Sequence, residues 1–458
     1  MQKKLISAAL AAAFLAAPCA AMAQETDLAK RVEQLAAELE KVKAELAAQK
    51  AQAAAAAPAA AAPGTASTPA PVQAAPAPAK PAIASYPANA STAAPIAVAT
   101  ATPASQMTQD TVMIGYGEVN YNHPVRNASG SQADVRRAVI GFQHRFDDKT
   151  KLVSEFEWEH AVVSASDQGE SEVEQLYVER EFAGGLRGKA GLYLMPVGLL
   201  NQNHEPTAYY GVERNFVETA IIPTTWREVG VGLSGEFGEG FAWDTGITTG
   251  FDLTKWDPTS TEGRESPLGS IHQEGQLAKA RDLALHGALN WRGYPGLLVG
   301  GSVFSGKAGH ATPGFPAQDA RVTLWDLHTR YTPGAWDLSA LWTYGRITDT
   351  TALNATFVGD PTPVPSSFAG WYLQAAYQLW QSGDFVLSPF ARFESFNTAR
   401  SYSAQPAGLG VPSTGYERVA TVGANLRIGQ GVVLKADYQK FRDDKSQDRV
   451  NLGVGFSY

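Results

Sequence analysis

The sequence predicts an all-β protein: a 16-stranded antiparallel transmembrane β-barrel, preceded by a short coiled-coil helix and an Ala/Pro-rich spacer. Three observations predict it. From residue 106 onward, short segments alternate apolar and polar residues with period two, the signature of strands. The connections between these segments are short and long in turn, the plan of a barrel with tight turns at one rim and loops at the other. Charged residues make up only 18% of the chain, below the roughly 25% usual in soluble domains. Past the N-terminus no apolar run reaches the length of about 18 residues that a membrane helix requires.

The elements follow in order. Lys3 and Lys4, the apolar run Leu5 to Ala17 and the Ala21-Met22-Ala23 site read as a signal peptide over residues 1–23. Residues 24–50 carry a heptad seam, Leu28, Val32, Leu35, Leu39, Val42 and Leu46, flanked by Lys and Glu. A lone helix of that length is marginal in water, so the seam calls for partners. Residues 51–105 hold 26 Ala and 10 Pro. The prolines interrupt any helix, and an extended spacer is expected.

Residues 106–458 form the barrel, with strands expected to begin near 111, 134, 150, 170, 187, 227, 241, 281, 296, 320, 335, 368, 384, 415, 431 and 448. The last segment sets Val450, Leu452, Val454, Phe456 and Tyr458 on one face, and Arg449, Asn451, Gly453, Gly455 and Ser457 on the other. Aromatics such as Trp243, Trp291, Tyr331, Trp336, Tyr344, Trp371, Phe393 and Tyr438 fall on the outward face, several near strand ends where interfacial girdles sit. Sixteen strands leave room for an aqueous channel.

A polar lumen inside a lipid-facing wall makes the inward charges the candidate functional groups. Alternation places Arg137, Arg145, Lys189, Arg330, Arg392, Arg427, Lys435 and Arg449 inward, with Glu155, Glu157, Glu159, Glu179, Glu181, Asp244, Asp326, Asp337 and Asp437. Counting across the turns sets Arg137 opposite Glu159 and Glu181 opposite Lys189. The connection 195–226 is unusually apolar and aromatic for an external loop, as if it packs inward and narrows the pore. Arg214, Arg227, Glu213, Glu205, Tyr209 and Tyr210 are its candidate constriction residues.

Composition excludes other classes. One Cys makes neither a disulfide framework nor a CxxC site. With 45 acidic against 37 basic residues, a net charge of −8 and no basic block, nucleic acid is not expected as a partner. The GxGxxG match at Gly230 to Gly235 lies inside a strand and opens no helix, so no dinucleotide site follows. His204-Glu205 does not complete an HExxH motif. His160, His286 and His328 are the bases an embedded hydrolase would need, yet no GxSxG motif accompanies them. No enzymatic activity, metal or cofactor is expected.

The stretch Gly191 to Gly235, with Pro196-x-Gly198, Val212-Glu213-Arg214 and Ile222-Pro223-Thr224-Thr225-Trp226-Arg227-Glu228, resembles the phosphate-selective porin O and P family. The resemblance implies a trimeric 16-stranded porin whose third loop enters the channel and whose basic residues conduct anions. It carries over to Arg214 and Arg227, whereas the acidic row Glu155, Glu157 and Glu159 departs from such a plan. The function expected is therefore an outer-membrane channel passing small hydrophilic solutes or ions, phosphate among the candidates, as a homotrimer in contact with outer-membrane lipid. The alternative is an envelope tether, whose coiled coil and spacer contact the cell wall while the barrel serves as anchor.

Overall fold

A computed structural model describes Lys41 and residues 104–458, apart from 165–166, 407 and 410–414. The signal peptide, the coiled-coil segment apart from Lys41, and nearly all of the spacer lie outside the described residues. A 3-10 turn at Ala104–Gln106 leads into the first strand.

Sixteen antiparallel strands follow: β1 Thr111–Pro124, β2 Gln132–Asp147, β3 Thr150–Glu159, β4 Ser171–Glu181, β5 Arg187–Leu194, β6 Arg227–Phe237, β7 Phe241–Thr248, β8 Ala284–Tyr294, β9 Leu297–Lys307, β10 Arg321–Tyr331, β11 Trp336–Ile347, β12 Ser367–Tyr377, β13 Phe385–Ser401, β14 Glu417–Ile428, β15 Val432–Phe441 and β16 Arg449–Ser457. Every start lies within three residues of the position expected from alternation. Strand β12 breaks at Gln378 and Leu379 and resumes as a short piece, Trp380–Ser382, which pairs on with β13. Each strand pairs with its sequence neighbours, and β1 pairs with β16 from Tyr116↔Ser457 to Pro124↔Arg449. The sheet is therefore closed, and no backbone edge is left for lipid to meet.

The faces are inverted relative to a water-soluble protein. Leu285, Val303, Leu327, Leu373, Val422 and Leu452 are exposed on the outside, whereas Glu118, Arg137, Lys151, Asp326, Glu394 and Gln439 are buried inside. An apolar belt of this extent belongs against hydrocarbon. The outward aromatics include Trp336, Trp342, Trp380 and Phe393, all exposed.

Two registers test the sequence reading. Arg137 faces Glu159 as expected. Lys189, however, faces Glu179, and Glu181 faces Arg187, a correction of two residues. The turn causes it. Phe182 N–H donates to the Leu186 carbonyl at 2.7 Å, around Gly184 and Gly185 at φ 75° and 76°. Glycine reaches that region without steric cost. A second irregularity was not anticipated. A bulge lies between Glu155/Gln175 and Phe156/Val173, so Glu174 is an extra residue in β4. Both Glu174 and Gln175 then turn inward.

Candidate functional site

The connection from β5 to β6, residues 195–226, folds into the barrel. It leaves the long-loop rim on an apolar anchor: Met195, Val197, Val217, Ile221, Ile222 and Trp226 are buried with Phe251, Leu253, Phe304, Val322 and Phe368. The Trp226 ring lies 4.7 Å from Phe304 and 5.0 Å from Phe251. Burying these side chains is what draws an external loop inside, at about 1.5–3 kcal/mol for each large apolar group. One flank of the lumen is filled this way.

From the anchor the loop crosses to the opposite wall, tied at each step. Gly198 N–H donates to Asp326 Oδ2 on β10 at 3.2 Å. Glu218 Oε1 accepts from Leu199 N and Leu200 N, while its Oε2 accepts from Tyr372 of β12 at 2.9 Å. Phe216 N–H donates to Glu394 on β13, Val212 N–H to Asp437 on β15, and Tyr209 Oη to Glu118 on β1. Thr207 meets Ser457 at 2.9 Å, at the short-turn end of β16. The loop therefore runs from one rim almost to the other.

Between loop and wall lies a cavity of ≈ 250 Å³. Arg330, Arg392 and Arg427 line it with Tyr209, Tyr210, Tyr372, Gln374 and Glu205. Two of the arginines are held. Arg330 forms a fork to Asp337 at 2.6 and 2.8 Å. Arg392 binds Glu394 at 3.0 Å and the Tyr210 carbonyl at 3.1 Å. Among the described residues the Arg427 guanidinium has neither a hydrogen bond nor an ion pair, and it also lines the small adjoining pocket. A second cavity of ≈ 490 Å³ lies against β2, β3 and β4 and is acidic and amide-lined, with Glu155, Gln143, Gln175, Gln202, His204 and Glu205. Glu205 borders both. The lumen is thus divided by sign across the loop.

The remaining sequence candidates take structural positions around these cavities. Arg214 is buried and donates to Thr224, to Thr225 Oγ1 at 2.9 Å and to the His204 carbonyl at 3.0 Å. Arg227 is buried against Glu172 at 2.5 Å and Glu274 at 3.2 Å, and donates to the Thr225 carbonyl at 3.1 Å. Neither lines either of these two cavities. Both converge on Thr225, whose φ of 51° is rare for a β-branched residue and has to be held by its surroundings. Glu213 accepts from Asn122 at 2.9 Å. The Tyr210 ring lies 5.8 Å from Phe390, tilted by 31°.

On the wall, Arg137 bridges Glu118, Glu157 and Glu159 at 2.9–3.2 Å. Lys189 pairs with Asp244 at 2.7 Å, Arg145 with Asp110 at 2.7 Å, and Arg449 donates to Gln439 at 2.6 Å. Lys435 lies 3.5 Å from the centre of the Tyr209 ring, a cation–π contact. Alternation alone missed Glu172 and Glu174. The adjacent pair Glu174-Gln175, which breaks the period, was the one trace of them.

The three histidines considered as bases have other partners: His328 binds Asp326 and Asn290, His286 meets Tyr193, and His160 meets Asp134 and Arg136.

No protein-family model matches the sequence. A protein of Aquifex aeolicus (strain VF5), described only as uncharacterized, is 28% identical over 361 residues, covering 75% of this chain and 79% of that one. Among solved structures, Salmonella typhi OmpF in complex with daunomycin aligns over 76% of this chain and 97% of its own, with a TM-score of 0.52 at 14% identity. The outer membrane channel DcaP of Acinetobacter baumannii gives 0.49 at 14% identity, over 76% of this chain and 97% of its own. The anion-selective porin of Comamonas acidovorans gives 0.46 at 12%, over 76% and 99%. The OmpF likeness establishes the fold, a 16-stranded porin barrel.

Proposed function

We propose that this chain is a passive outer-membrane channel for small hydrophilic solutes and ions, narrowed by the inserted loop 195–226, with a mild preference for anions and no enzymatic activity. One observation carries the reading: the loop spans the lumen and leaves a cavity lined by Arg330, Arg392 and Arg427, of which the Arg427 guanidinium has no hydrogen bond or ion pair among the described residues. In a lumen with low-dielectric walls, an unpaired guanidinium attracts and orients anions, and its planar fork suits phosphate or carboxylate oxygens. The opposing carboxylate of Glu205, unpaired among the described residues, keeps the preference mild. The short turns would face the periplasm and the long loops the exterior. The homotrimer, phosphate as a permeant and export by the N-terminal signal belong to the same proposal.

Planar-bilayer recording of the refolded chain tests it. Stepwise conductance is expected, with a reversal potential in a KCl gradient displaced toward anions. Arg427→Ala moves that potential toward cations, and Glu205→Gln moves it further toward anions. Absence of discrete conductance steps overturns the channel reading. Unchanged potentials in both variants would remove these two residues from the permeation path.

A further inference from the structure

We propose that Glu155, Glu174 and His204 bind one divalent cation of the zinc class, in a site formed by two wall strands and the inserted loop. The three are buried, and one donor atom from each lies within 4.8 Å of the others. The site is built by two unusual features together. The β4 bulge adds Glu174 to the inward face beside Glu155, and bulges recur where a side chain must be re-aimed. The loop then lays His204 over the pair.

The hydrogen bonding shows what is missing. His204 Nδ1 lies 3.0 Å from the Asn201 carbonyl, so Nδ1 carries the proton and Nε2 presents a lone pair. Among the described residues that lone pair has no hydrogen-bond partner; it lies 3.8 Å from Glu174 Oε1, which is also buried and without a hydrogen-bond partner there. Two bare acceptors facing each other repel unless a positive centre lies between them. Their other atoms are fixed: Tyr116 Oη donates to Glu174 Oε2 at 2.9 Å, and Gln175 Nε2 donates to Glu155 Oε2 at 2.6 Å. A histidine anchored through its far nitrogen to a carbonyl, beside carboxylates that are themselves hydrogen-bonded, is the arrangement of metal ligands and their supporting shell.

The neighbouring arginines do not supply the charge. Arg137 is committed to Glu118, Glu157 and Glu159, and Arg214 to Thr224, Thr225 and the His204 carbonyl. One imidazole with two carboxylates suits Zn²⁺ or a similar borderline ion and balances its charge. Ligand distances of about 2.0–2.2 Å require the three side chains to draw together slightly. The adjoining cavity, which Glu155 and His204 both line, has room for water to complete the coordination. The bound ion would pin the loop to β3 and β4.

Calorimetric titration of the refolded full chain, freed of metal by chelator and titrated with ZnCl₂ in detergent, tests the site without reference to conductance. One Zn²⁺ per chain is expected. His204→Gln and Glu174→Gln should each weaken binding by at least about tenfold, while Asp443→Asn, at a remote exposed ion pair, leaves it unchanged. Heat-modifiable migration in gels confirms that each variant has folded. Two outcomes overturn the proposal. No stoichiometric uptake by the unmodified chain would mean that a proton shared among the carboxylates relieves the cluster. Equal uptake by every variant would mean adventitious surface binding.

Discussion

Arg137 shows how one side chain can stabilise a wall crowded with acids. Its guanidinium reaches Glu118 on β1 and Glu157 and Glu159 on β3, all at 3.2 Å or less, with Arg137, Glu118 and Glu157 at most 4% exposed. Removing it strands buried carboxylates, and the handicap falls on the folded state. Arg137→Ala should cost about 3–5 kcal/mol, read as a lower temperature for loss of the heat-modified band. Gly198 is a second such position. Its φ is 73°, and a Cβ there would collide with Glu218 Oε1, the acceptor that holds Leu199 and Leu200. Gly198→Ala should therefore free the loop, adding about 1–2 kcal/mol of backbone strain and exposing 195–226 to protease in a barrel that still closes.

At the scale of elements, strand and loop were legible to very different degrees. Alternation gave the strand starts and the inward positions because each strand divides two solvents, and period two records that division directly. Val422, exposed at the middle of β14, is such a position. Val422→Arg should cost about 2–4 kcal/mol in lipid, measured by equilibrium unfolding from vesicles. The loop has no comparable period. Its apolar run suggested that it packs inward, but not which wall it reaches. Arg214 and Arg227 were singled out by residue type in a matching stretch. Periodicity could not reveal that both close on Thr225, because an irregular loop carries no repeat to fix its contacts and the acids that hold Arg227, Glu172 and Glu274, are distant in the chain. The β4 bulge was hidden for a related reason. One extra residue shifts phase without changing composition, so alternation does not single out Glu174 as an inward side chain.

At the scale of the molecule, the division of charge across the loop governs the expected behaviour. Basic groups gather around Arg427 at one side and acidic and amide groups around Glu155 at the other, with Glu205 bordering both. A net charge of −8 therefore says little about selectivity, because most lumenal charges cancel within ion pairs. The few that remain unpaired are the ones a passing ion meets.

The pairing of β1 with β16 has a consequence for connectivity. Fifteen seams of the cylinder are bridged by covalent links, and this one is joined by hydrogen bonds alone, with Tyr458 N and O paired to Gly115 at 2.9 and 3.1 Å. In the finished barrel nothing distinguishes that seam from the rest. The chain is in effect a ring that has been cut once, and the cut is movable. A circular permutant that joins Tyr458 to Ala104 through a short Gly-rich linker and opens between Gly383 and Asp384, at an exposed tight turn, should refold with the same circular dichroism and the same heat-modifiable migration. Failure to close would show that assembly depends on which strand is delivered first.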